Sequence, residues 1–374
     1  MNSHMRGARL KSILERAEAG DLLSENEIVC LLSIAQKEET EALFAASKRV
    51  RSQHTGNRVF LYGFVYLSTY CRNNCLFCFF RTSNTDSLRY RKSHDQIVEA
   101  ARMLAESSVH LIDLTLGEDP VYFNGNGFED LADVVAAITE ATDLPVMISP
   151  GLVDEGVLAM LKESGASWYA CYQETHDRSL FEKIRPGQDF DSRLDTKRIA
   201  RRLGLLTEEG MLSGMGESSA DVACTLAAMG ELDTDQVRVM SFVPQKGTPL
   251  ADHPPADFGE ELKIIATMRL LFPDRLIPAS LDIGGLAGLK ERLDAGANVI
   301  TSLVPPGEGL AGVAQSSLDI DDARRTVASV EPVLRECDLA PATKAEYRRW
   351  IETRMELIDG GSVGRSPGDR PDGC

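Results

Sequence analysis

The 374-residue chain has no apolar run near the roughly 20 residues that cross a bilayer, and no basic N-terminal stretch leading into a short apolar core. A membrane-spanning or exported chain is not expected, and a cytoplasmic location is. Positive charge is scarce: 40 Lys and Arg stand against 57 Asp and Glu, a net of −17, which repels phosphate backbones and anionic lipid alike. Nucleic acid is not an expected partner. Nothing repeats at a solenoid period, and no low-complexity insert interrupts the chain before its end. Hydrophobic residues at 43% and charged residues at 26% approach the globular averages of about 45–50% and 25%, so a core is available and wholesale disorder is excluded. Ser3-His4-Met5 resembles a remnant of an expression tag and is set aside.

What is present is a long alternation. Residues 6–55 carry leucines at helical spacing (Leu10, Leu14, Leu22, Leu23, then Ile28, Leu31, Leu32, Ile34) and predict a helical extension ahead of the main fold. From Arg58 onward short β-rich runs alternate with amphipathic stretches, the pattern of βα units on a parallel sheet. Eight strands are predicted, at 59–68, 110–116, 144–149, 168–173, 205–214, 236–243, 276–282 and 298–304. Helical patterns lie between them at 96–106, 130–139, 197–205, 220–232 and 260–271. Eight is the number that closes a (βα)8 TIM-type barrel of about 250 residues. The expected division is an extension at 6–55, an α/β barrel at 56–340, a C-terminal helix at 341–358 and a Gly-, Pro- and Asp-rich disordered tail at 359–374. Several strands run into glycine or proline, as in Leu116-Gly117, Ser149-Pro150-Gly151 and Asp282-Ile283-Gly284-Gly285, which marks the loops where barrels keep their active sites.

Five of the eight cysteines (Cys30, Cys171, Cys224, Cys337, Cys374) are scattered, as suits reduced thiols in a cytosolic chain. The others, Cys71, Cys75 and Cys78, sit in CRNNCLFC directly after the first predicted strand. A structural zinc site wants four ligands, and His54 and His94 are each distant in sequence. Thiolates also hold four-iron four-sulfur clusters, where three of them leave one iron open to a small molecule.

This C-x3-C-x2-C loop, with Phe77 in its aromatic place, resembles the signature of the radical S-adenosylmethionine superfamily. The ordered segments YLSTYCRNNCLFCFFR, DLTLGEDP, MISPGL, YQET, VRVMSFVPQKGTPL, RLIPASLD and GANVITSLVPP resemble the methylornithine synthase family of pyrrolysine biosynthesis over about 56–306. The maturase of iron-only hydrogenase and biotin synthase share the cysteine loop and the GED-like segment. The resemblance implies a 4Fe-4S cluster on Cys71, Cys75 and Cys78, with S-adenosylmethionine chelated at the fourth iron. It further implies an isomerase that converts L-lysine to (3R)-3-methyl-D-ornithine, by deoxyadenosyl-radical hydrogen abstraction and carbon-skeleton rearrangement. A flavodoxin or ferredoxin is the reductant expected by the same analogy. For the cosubstrate it points to Phe77, to Glu118 in Gly117-Glu118-Asp119, to Glu174 and Arg193, and to Ser149; a turn, a helix cap or plain surface charge would explain some of them equally.

Charges inside the predicted strands carry a reading of their own. Asp113 stands between Ile112 and Leu114, Arg238 between Val237 and Val239, and Asp282 ends a strand, each placed late in its run. A buried charge must be paired, solvated or matched to a ligand. Lysine presents two ammonium groups and a carboxylate, which two Asp and one Arg complement, and Ser280 shares the face of Asp282 by strand alternation. The alternative is a structural ion pair of Arg238 with Asp113 or Asp282. Two rival functions stay open at this point: a related radical enzyme acting on another amino acid, and a non-catalytic iron–sulfur scaffold.

Overall fold

The computed structural model describes residues 3–307 and 324–359. Three helices lead, α1 (Ser3–Glu18), α2 (Glu25–Leu32) and α3 (Lys37–Thr55). The βα units follow: β1 (Arg58–Ser68), α4 (His94–Glu106), β2 (Leu111–Leu116), α5 (Gly127–Thr142), β3 (Val146–Ser149), α6 (Glu155–Glu163) and β4 (Ala166–Ala170). Next come α7 (Arg178–Ile184), α8 (Phe190–Arg202), β5 (Leu206–Ser213), α9 (Ser219–Glu231), β6 (Gln236–Ser241), α10 (Phe258–Leu271), β7 (Pro278–Ser280), α11 (Leu289–Asp294) and β8 (Val299–Leu303). The described chain ends with α12 (Val327–Glu336), β9 (Ala340–Pro341) and α13 (Lys344–Asp359). The tail expected beyond this point, with Cys374, lies outside the described residues.

The eight main strands run parallel in the order β6-β5-β4-β3-β2-β1-β8-β7. The two ends meet only at their base, where Val237 N donates to Leu276 O at 3.0 Å and Leu276 N to Asp235 O at 3.2 Å. The result is a nearly closed barrel that splays toward its C-terminal mouth, the end at which such barrels do chemistry. Helix starts follow capping chemistry: Ser93 and Gln96, and Ser218 and Asp221, form reciprocal boxes that satisfy the first amides of α4 and α9. Two predicted strands differ most in extent. The fourth begins at Ala166 and stops at Ala170, and the seventh is cut to Pro278–Ser280, opening on a proline at the first strand position, where its missing N–H is tolerated.

The lower half of the barrel is apolar. Phe60, Tyr62, Trp168 and Leu206 meet Tyr347 and Trp350 of α13, whose ring stacks on Trp168 at 5.8 Å. Arg354 ties this helix to the barrel through Asp235 at 2.9 Å. Helices α1 to α3 bury Leu14, Leu31, Leu43 and Val50 against Ala266 and Leu270 of α10, outside the barrel. Among the described residues no helix is long and apolar enough to cross a membrane.

Candidate active site

A cavity of about 270 Å³ opens at the C-terminal mouth and reaches down to mid-strand depth. Cys71, Cys75 and Cys78 line its upper wall on the loop that leaves β1. Gly117 holds that loop close: a side chain there would lie 2.7 Å from Tyr70 O and 2.9 Å from Cys71 Cβ. All three thiols are unbridged. Burial and the neighbouring thiols push Cys78 up to about 12, and burial also raises Cys71. Three thiolates crowded together thus need a cationic occupant. The three thiols lie near enough to raise one another, and an all-sulfur set of three is the donor chemistry of an iron–sulfur cluster with one open iron. Arg185 Nη1 lies 3.6 Å from Cys75 Sγ, and Gln188 Nε2 3.0 Å from it.

Below and beside the cysteines is a polar half-ring. Glu118, reached through the left-handed Gly151 whose added Cβ would fall 2.2 Å from Glu118 Cγ, accepts from Arg72 Nε at 2.8 Å and from Leu152 N at 3.2 Å. Its Oε1 stands 3.6 Å from Arg193 Nη1. Asp119, by contrast, turns away from the cavity and accepts both Arg91 nitrogens at 2.6 and 2.8 Å, so its work is to anchor the cysteine loop. Glu174 takes a left-handed backbone (φ 69°), rare for a residue with a side chain, and receives Arg185 Nη2 at 2.6 Å. Ser149 Oγ, Glu174 Oε2 and the Nε atoms of Arg185 and Arg193 are buried without a hydrogen-bond partner among the described residues. Buried polar atoms are normally satisfied, so four orphans around one cavity fit a polar ligand. Phe77 also lines the cavity, 5.4 Å below the Arg185 guanidinium.

At the floor the structure corrects the strand reading. Asp113 and Arg238 are each the third residue of a six-residue strand, halfway rather than late, while Asp282 lies just past β7. Arg238 pairs with neither aspartate. It donates Nε to Glu208 at 2.6 Å and Nη1 to Thr301 Oγ1 at 3.1 Å, and Tyr172 OH holds the other Glu208 oxygen at 2.8 Å. Asp282 is held by Arg325 Nη1 at 2.9 Å and Ser302 Oγ at 2.8 Å. Ser280 gives its hydroxyl to Asp282 at 3.3 Å and does not itself line the cavity. Among the described residues Asp113 has only one hydrogen-bond partner, Thr115 Oγ1 at 2.8 Å. Burial first, then the nearby Glu208, pushes its carboxyl up to about 7. The floor therefore carries one carboxyl with no cation among the described residues hydrogen-bonded to it.

Three participants went unnoticed in the sequence: Glu208, Arg185 and Arg325. Glu208 sits inside a predicted strand beside Glu209 and carries the signal that exposed Asp113. Arg185 follows a short helix with no pattern to mark it.

The cysteine loop, the barrel and the polar ring around it define a class. Residues 65–226 match the model of the Radical SAM superfamily. The chain is 33% identical to the [FeFe] hydrogenase maturase subunit of Thermotoga maritima over 79% of its own length and 83% of that protein. It is thus a member of the radical S-adenosylmethionine superfamily, which works with a 4Fe-4S cluster and S-adenosylmethionine. A nearer likeness narrows this: 42% identity to 3-methylornithine synthase of Methanosarcina barkeri, covering 90% of this chain and 95% of that one. A crystal structure of methylornithine synthase superposes with a TM-score of 0.86 at 41% identity, over 90% and 99% of the two chains. The chain belongs to the 3-methylornithine synthase family.

Proposed function

We propose that the chain isomerises L-lysine to (3R)-3-methyl-D-ornithine, the first step of pyrrolysine biosynthesis. Cys71, Cys75 and Cys78 would hold the cluster, and Glu118, Ser149, Glu174, Arg193 and Phe77 would surround S-adenosylmethionine. When bound, these groups supply a 5′-deoxyadenosyl radical that takes a hydrogen atom from the substrate side chain. The protein's part is placement. Ionised Asp113 faces one ammonium group, Asp282 on its Ser280, Ser302 and Arg325 supports faces the other, and Arg238, with Nε and Nη1 engaged, offers Nη2 to the carboxylate. Phe64, Tyr66, Phe79 and Phe242 wall the cavity with apolar surface, which keeps water from a radical. A flavodoxin or ferredoxin would deliver the electron.

The observation that carries this reading is the Asp113 carboxyl, to which no cation among the described residues is hydrogen-bonded, at the floor of the cavity that the three thiols roof. The test is anaerobic incubation of reconstituted, reduced protein with S-adenosylmethionine and L-lysine, followed by mass spectrometry. An isomer of unchanged mass is expected. Lysine recovered unaltered while S-adenosylmethionine is cleaved would point to another amino acid substrate, and absence of deoxyadenosine to a non-catalytic scaffold.

A further inference from the structure

The chain between β4 and the Glu174 turn carries one residue more than the strand it pairs with. Ala170 pairs with Glu208 and Glu174 with Met211, so Cys171, Tyr172 and Gln173 stand opposite only Glu209 and Gly210. The extra residue makes a bulge, a device that re-aims a side chain. Its Gln173 amide has no main-chain acceptor in the ladder. Glu209 supplies one from its side chain: Oε1 receives Gln173 N at 2.7 Å and Gly210 N at 2.8 Å. Immediately after, Glu174 resumes pairing, N to Gly210 O and O from Leu212 N, both at 3.0 Å, in its left-handed conformation.

Glu209 is completely buried, and so is its partner Lys197, whose ammonium binds both Glu209 Oε2 and Gln173 Oε1. Lys197 lies one turn after Arg193 on α8, so the two share a face of that helix. Arg193 Nη2 in turn donates to the carbonyl of Tyr172, inside the bulge, at 2.8 Å. One ion pair outside the barrel lumen thus fixes both the turn that aims Glu174 and the helix that brings Arg193.

We infer that Glu209, braced by Lys197, is a positioning residue for S-adenosylmethionine: the reach of its carboxylate to the Gln173 amide sets the aim of Glu174 and the seat of Arg193. This rests on the proposed roles of Glu174 and Arg193, and the experiment separates the two. Glu209→Asp keeps the buried charge balance and withdraws the acceptor by one methylene. Glu209→Gln/Lys197→Met removes both charges and keeps the acceptor at full length. S-adenosylmethionine binding is measured by equilibrium dialysis on the anaerobic holoprotein, beside iron content and the KM for lysine at saturating cosubstrate. The expected result is about tenfold weaker binding for Glu209→Asp, with iron content unaltered and lysine KM within about twofold, and near-parental binding for the double variant. Parental binding by Glu209→Asp, or equal losses in the two variants, would overturn the inference. Glu174→Gln is the control; if it binds S-adenosylmethionine like the parent, the site assignment itself fails and the inference with it.

Discussion

Arg238 Nε and Glu208 Oε1 meet at 2.6 Å inside the barrel, and the Glu208 side chain has no exposed surface. The pair holds the guanidinium in one orientation and keeps its charge compensated, so the substrate carboxylate proposed for Nη2 would meet a fixed donor. Breaking a buried pair by removing one partner costs about 3–5 kcal/mol, since the survivor is left charged and dry. Glu208→Leu should therefore lower the melting temperature sharply. Glu208→Leu/Arg238→Met should recover most of that loss in a thermal melt while leaving lysine turnover absent. Recovery of turnover together with stability would show that neither charge serves the reaction.

Asp113 gives the site a pH dependence whose sign follows from its raised carboxyl, about 7 in the fold against an ordinary value near 4. A group raised in the folded state contributes stability that is fully present below the unfolded value and is lost as pH climbs through the folded one, here from about 4 to 7, on the order of 4 kcal/mol in all. Asp113→Asn removes this dependence. The melting-temperature advantage of Asp113→Asn over the parent should grow from pH 5 to pH 8. In the proposed role lysine binds the ionised form, so the parent's KM for lysine should fall as pH rises through about 7, while Asp113→Asn and Arg238→Ala should still cleave S-adenosylmethionine without turning lysine over. A flat KM across that range would remove Asp113 from the ammonium site.

How far the chain could be read without coordinates follows from the physics of each signal. Runs such as Val237-Arg238-Val239 and Leu111 to Leu116 announce buried parallel strands because both faces must be apolar, and the cysteine loop announces itself by spacing. Asp113 and Arg238 were legible as charges that such strands cannot bury alone. Glu208 and Glu209 carried that signal too, side by side within the predicted strand 205–214, but nothing in the sequence says which of two adjacent carboxylates faces inward; the fold sends Glu208 into the lumen to Arg238 and Glu209 outward to Lys197. The partners of Arg238 were illegible for a related reason. Which carboxylate a guanidinium meets depends on sheet stagger, and the stagger sets Glu208 level with Gln236, not Arg238. Arg185 and Arg325 reach the site from irregular chain, where no periodicity points.

The three thiols are proposed as one ligand set, so their losses should not be additive. Converting Cys71, Cys75 or Cys78 singly to Ala should each abolish iron and sulfide content and deoxyadenosine formation together, with little change in the melt of the apoprotein. Cys224→Ala, on α9 away from the cavity, should leave iron content and turnover intact. A Cys75→Ala protein that still loads iron and cleaves S-adenosylmethionine would refute the ligand assignment.

At the opposite end of the barrel, Tyr62 and Tyr347 join their hydroxyls at 2.7 Å with both residues buried, one on β1 and one on α13. Tyr347 also packs against Phe60 at 5.0 Å, so the hydroxyl and the ring can be tested apart. Tyr347→Phe keeps the ring and leaves the Tyr62 hydroxyl without its partner, a loss of about 1–3 kcal/mol. Tyr347→Ala also empties the apolar layer around Phe60 and should cost about 3–5 kcal/mol. Because the apolar layer lies below the charged one, Tyr347→Phe should melt earlier in a denaturant titration yet keep the parental KM for lysine and the parental affinity for S-adenosylmethionine. A shift in either constant would mean that this apolar layer communicates with the cavity above it.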